Sequence, residues 1–66
     1  MTLKEIRCVK HLIEAAKLVG PTILRDYEGF ERVMWNNEVD RQRFDLSVDQ
    51  FRKCLKAAYV QLKSTR

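Results

Sequence analysis

A chain of 66 residues with 45% apolar side chains is one small domain, too short to enclose a sizeable catalytic pocket and too apolar to stay disordered. Two glycines and one proline favour helices over a many-turned β fold, and no apolar run nears the ~18 residues of a membrane span. The net charge of +4 speaks against an acidic solvating chain and leaves phosphate-bearing partners open.

Helix 1 has a clear start. Thr2 and Glu5 fit a capping box, in which hydroxyl and carboxylate each satisfy an orphan backbone donor. Met1 and Ile6 stand at the hydrophobic-staple positions. Leu3, Ile6, Val9, Leu12 or Ile13, Ala16 and Val19 recur at helical spacing as one apolar stripe. Gly20 suits the residue after a helix end and Pro21 cannot continue one, so the helix is expected over about residues 3–19.

A second helix is expected directly after this corner, with Thr22 as N-cap, and Asp26 and Glu28 on the favourable side of its dipole. The reading then forks. If Gly29 ends the helix, Phe30 to Trp35 is free to form a strand. If Gly29 is tolerated, at about 1 kcal/mol relative to alanine, Ile23, Tyr27, Phe30 and Met34 continue the helix to Trp35. In residues 36–46, Asn36, Asn37 and Asp40 suit a turn, and Phe44 and Leu46 alternate as in a half-buried strand. A short hairpin pairing Glu31–Trp35 with Arg41–Leu46 is one outcome; a loop pinned by Phe44 is the other.

Ser47 and Gln50 make a second capping box, with Leu46 and Phe51 as its staple. Phe51, Leu55, Ala58, Tyr59 and Leu62 form the buried stripe of a third helix over about residues 48–63, while Arg52, Lys53, Lys56 and Lys63 lie off it. The expected fold is mostly α: a single three-helix domain over residues 1–66, with a tight helix-turn-helix corner and the hairpin left open.

The charge is uneven. Residues 41–66 carry seven basic groups against Asp45 and Asp49, a net +5. Residues 21–40 carry Arg25 and Arg32 against five acids, a net −3. A cationic final third is either a solvated helix face or a phosphate-binding one.

Chemistry is sparsely supported. There is one histidine, no nucleophile plausibly paired with a base and no glycine-rich phosphate loop, so neither an enzyme nor a cofactor or small-molecule substrate is expected. Cys8 and His11 are three apart and Cys54 is distant, which falls short of the four ligands a structural zinc requires. The two cysteines, Cys8 and Cys54, lack a framework spacing and read as buried thiols in a reducing compartment, with a disulfide stapling the first helix to the last as the alternative. No charged-then-apolar start resembles a signal peptide, so the cytoplasm is the expected compartment and no membrane partner is expected.

The residues Glu14-Ala15-Ala16-Lys17, Gly20, Leu24-Arg25 and Tyr27-Glu28-Gly29, with Arg41-Gln42-Arg43-Phe44 and Ser47 to Phe51, resemble the winged helix-turn-helix of MerR-type regulators and phage excisionases over about residues 12–55. The turn after Gly20 is two residues shorter than that pattern, and helix 1 is longer than such a domain needs. The resemblance implies a transcription regulator or recombination accessory factor bound to duplex DNA. Arg25 would act on helix 2, Arg41 and Arg43 on the wing, and Arg52, Lys53 and Lys56 on phosphates. Glu31-Arg32-Val33, Asn37 and Leu46-Ser47 resemble the small nucleoid-modulating Hha/YmoA proteins, which would make the middle helical. Against both stands a non-enzymatic protein-interaction module, an adaptor, inhibitor or subunit, with Met34 and Trp35 as partner-binding candidates, since tryptophan is enriched at interface hot spots. The other role for Trp35 is to close the core. A homodimer on helix 1 is compatible with either function.

Overall fold

The computed structural model describes residues 1–38 and 41–64, with the side chains of Asn37 and Glu38 excepted. Asp40, read above as a turn residue, and Arg66, counted in the basic tail, lie outside the described residues.

Helix α1 runs Leu3–Val19 and opens with both halves of its capping box. The Thr2 N–H donates to Glu5 Oε1 at 2.8 Å, and the Glu5 N–H donates to Thr2 Oγ1 at 3.3 Å. Gly20 ends it at φ +115°, a backbone conformation that L side chains rarely adopt, and donates its N–H to the Ala16 carbonyl at 3.0 Å.

The next helix does not start at Thr22. Pro21–Leu24 forms a single 3-10 turn, and α2 runs Tyr27–Val33. Its cap is Asp26, whose carboxylate accepts the Gly29 N–H at 2.6 Å. A carboxylate can accept a donated N–H at a helix start more strongly than a hydroxyl, and this bond fixes the first turn. Gly29 is therefore inside the helix, and the chain continues past Val33 into a π-helical stretch, Met34–Glu38. A second 3-10 turn, Arg41–Phe44, follows. Among the described residues there is no strand, so the hairpin wing is not formed. Phe30 and Met34, four apart, lie on one side of this helical stretch and are both wholly buried.

Helix α3 runs Val48–Ser64. Ser47 and Gln50 exchange their capping bonds at 3.0 and 3.2 Å, and the staple residues Leu46 and Phe51 are both buried. The equivalent pair on α1 behaves differently: Met1 and Ile6 are 61% and 45% exposed.

Helices α1 and α3 lie side by side and run the same way. The Cys54 thiol donates to the Glu5 carbonyl at 3.6 Å, while Ala16 and Leu62 line one small cavity near Gly20. Helix α2 runs opposite to α3, with Tyr27 and Phe30 on Tyr59 (ring centroids 5.5 and 5.4 Å) and Trp35 on Phe51 (4.9 Å). The result is an up-down-up bundle. Its core is Cys8, Leu12, Phe30, Met34, Phe51 and Leu55, closed at the edges by Trp35 and Phe44. The buried row of α1 is Glu5, Cys8, Val9, Leu12, Ala15 and Ala16. Leu3, Ile6 and Val19, expected inside, are exposed. Apolar residues on α1 span more than one face, and packing on α3 selects the face that carries Cys8.

Candidate interaction surface

The six expected DNA-contacting residues are carried by three segments of the chain. Arg25 is exposed after the 3-10 turn that follows Gly20, with Asp26 next to it. Arg41 donates from Nη1 to the Leu46 carbonyl at 3.0 Å, which ties down the turn before α3. Arg43 is exposed on that same turn. Arg52, Lys53 and Lys56 are exposed on α3, with no carboxylate within 4 Å of them among the described residues. They point to different neighbours. Arg52 shares an open groove with Glu28, Glu31 and Trp35 on the α2 side. Lys53 lies toward α1, where its charge helps hold the Glu5 carboxylate low.

The α2 side is acidic. The Tyr27 hydroxyl donates to Glu31 at 3.0 Å, and burial, with Glu31 adding to it, pushes the phenol up to about 12. Met34 has no exposed surface, and Trp35 is half-buried with its edge on Phe51. Of that pair only Trp35 can be reached from solvent.

The thiols and the histidine diverge. Cys8 and Cys54 are unpaired by a disulfide and wholly buried against each other's helix. Burial pushes Cys8 up to about 12 and raises Cys54 as well. His11 instead packs at a tilt against the Phe44 ring, centroids 5.4 Å apart. Among the described residues no three metal-ligating side chains converge, and no helix is long and apolar enough to cross a membrane.

The outer side of the α1–α3 pair carries a pattern that the apolar stripe alone conceals. On α1, Ile6, Lys10, Ile13 and Lys17 follow the 4-3-4 spacing of one helix face. On α3, Lys53, Ala57, Val60 and Ser64 follow the same spacing. Each row is one residue out from a buried one, Glu5–Val9–Leu12–Ala16 and Cys54–Ala58. The offset between facing residues is constant (8 to 54, 16 to 62), so the two rows run level with each other. Ile6 is 45% and Val60 61% exposed, Ile13 and Ala57 are half-buried, and the lysines are exposed. Sequence reasoning missed this surface because it assigned Ile6 to the apolar stripe of helix 1 and gave Val60 no role. The detectable signal was the shared spacing.

Exposed carboxylates are scarce here. Glu14 flanks the α1 row, and Asp49 lies near the start of the α3 row. Glu5 is buried between the helices, its carboxylate held below the ordinary range chiefly by the Thr2 N–H. The one ion pair among the described residues, Lys4 to Asp45 at 2.9 Å, is highly exposed and contributes little. Compared with known proteins, the chain matches no family model, no curated protein and no solved structure.

Proposed function

We propose that this chain is a non-enzymatic protein-interaction module whose working surface is the outer face of α1 and α3. The observation that carries this reading is the exposure of aliphatic side chains, Ile6 and Val60 above all, inside a frame of lysines. Solvated basic faces do not need isoleucine and valine at their centre; protein interfaces do, with an apolar middle and a polar rim.

Duplex DNA, in the manner of a helix-turn-helix regulator, is the second reading. The cationic surface of α3 and the net charge favour it. The arrangement around it is poorer: α2, which would enter the groove, carries Glu28 and Glu31, and Arg41 is engaged within its own turn.

Affinity capture separates the two. The tagged chain should retain a protein partner that Ile6→Asp and Val60→Asp both release and Arg43→Glu does not. The contrary result is duplex binding at physiological salt that falls steeply with added salt, is lost in Lys53→Glu/Lys56→Glu and is unchanged by Val60→Asp.

A further inference from the structure

The surface just described also constrains what can lie on it, and the following inference rests on the interaction-module reading. We propose that the α1–α3 face receives an acidic amphipathic α-helix from another protein, which lies along the two rows and completes a four-helix arrangement.

Two helices packed side by side leave a groove on either side of their contact. Helix α2 and the segment after it fill one groove, through Phe30, Met34 and Trp35. The other groove is bordered by the rows that begin at Ile6 and Lys53. These rows are level and equal in spacing, since Cys8 faces Cys54 and Ala16 lies beside Leu62. From Ile6 to Lys17 the groove runs about 16 Å, roughly three turns of a helix. A peptide binding as a β-strand would need a sheet edge to pair its backbone, and none is formed among the described residues; a helix satisfies its own.

The side chains set the chemistry of the occupant. Ile6, Ile13 and Val60 ask for an aliphatic stripe at helical spacing. Lys10, Lys17 and Lys53 ask for carboxylates on its flanks. A second copy of this chain does not supply that combination. Face to face, two copies would set these lysines against one another. The acidic α2 side offers carboxylates without a stripe: among the described residues the exposed large hydrophobics are Met1, Leu3, Ile6, Leu18, Val19, Val48 and Val60, none of them on α2. Duplex DNA offers negative charge with no apolar surface to match Val60.

The test is an NMR titration of the full, isotope-labelled chain with four probes. They are a helical peptide with a leucine stripe and glutamate flanks, the same stripe with lysine flanks, a duplex oligonucleotide, and vesicles of phosphatidylserine and phosphatidylcholine. The acidic peptide should shift amides of residues 6–17 and 53–64 and gain helicity by circular dichroism. The lysine-flanked peptide should bind about tenfold more weakly. Lys10→Glu should narrow that preference, whereas Val60→Asp should weaken both peptides. Both sites are exposed, so the variants keep the fold.

No localised shift with the acidic peptide overturns the inference. If the captured partner meets this face through a basic or non-helical segment, the helix assignment falls and the interaction module stands. If DNA or vesicles move the same amides more strongly than the acidic peptide does, both fall.

Discussion

The parallel pair α1–α3 and the segment between them, residues 20–46, are built by different means. Each long helix writes its own start into four residues, Thr2 to Glu5 and Ser47 to Gln50, and both boxes close as local chemistry dictates. The connecting segment is a series of short pieces: a 3-10 turn, seven residues of α-helix, a π-helical stretch and another 3-10 turn. Few of these would persist alone, because a helix this short does not recover its nucleation cost. They are held by side chains inserted into the core, Phe30 and Met34 wholly and Phe44 in part. Local sequence specifies the frame, and burial specifies what bridges it.

The largest effects should come from the frame. Leu55→Ala removes a fully buried side chain from α3 and should cost about 3–5 kcal/mol, comparable with the whole stability of so small a domain. Its urea melt should lose its cooperative transition. Met34→Ala, on the bridge, should cost about 2–3 kcal/mol and leave a measurable transition. The reverse order would break the contrast.

Gly20→Ala tests the junction of the two regions. At φ +115° and ψ 169° any side chain is strained, although no atom lies within 4 Å of an added Cβ. The expected loss is about 1–3 kcal/mol from the backbone alone, read as a lowered midpoint at unchanged slope.

Removing the caps should cost less, about 1 kcal/mol each for Thr2→Ala, Asp26→Ala and Ser47→Ala. These sharpen the comparison through hydrogen exchange. Loss of either frame cap should fray only its own first turn, whereas loss of Asp26 should loosen exchange across α2, whose few residues depend on it.

The smallest effect is in the pH dependence. Glu5 has its carboxylate lowered from 4.5 by the Thr2 N–H, so its contribution is complete above about pH 4.5 and is lost as pH falls through the lower folded-state value. Glu5→Gln should flatten that acid limb. The thiols act at the other extreme. Cys8, raised from 9.0 to about 12, contributes stability that is whole below pH 9 and lost as pH climbs toward 12. A thiol reagent at neutral pH should label Cys8 and Cys54 no faster than the chain unfolds.

The same contrast explains what was legible in the sequence. Both long helices, their caps and the stop at Gly20 could be read directly, because those signals are local. The continuation of α2 through Gly29 was one branch of a fork, since strand and helix differ there only in which apolar residues find a core. The start of α2 was misplaced because Thr22 and Asp26 both look like caps, and only the bond from Gly29 tells them apart. The stripe on α1 was visible, but which of its edges faces inward depends on α3, and sequence placed Ile6 on the wrong side. The surface was missed for that reason. The expected basic residues are exposed apart from Arg41, which is half-buried, and Arg25, Arg43 and Arg52 come from three different segments of the chain.

The parallel run of α1 beside α3 has a further consequence for how the protein comes into being. The bond from Cys54 to Glu5 links residues 49 apart, and Tyr59 reaches back 35 residues to the Leu24 carbonyl. During synthesis, α1 emerges before α3 and has no long helix to lie against until α3 follows. Its apolar faces wait in solution until then, so the ordering of this bundle is a concerted event that follows the making of α3.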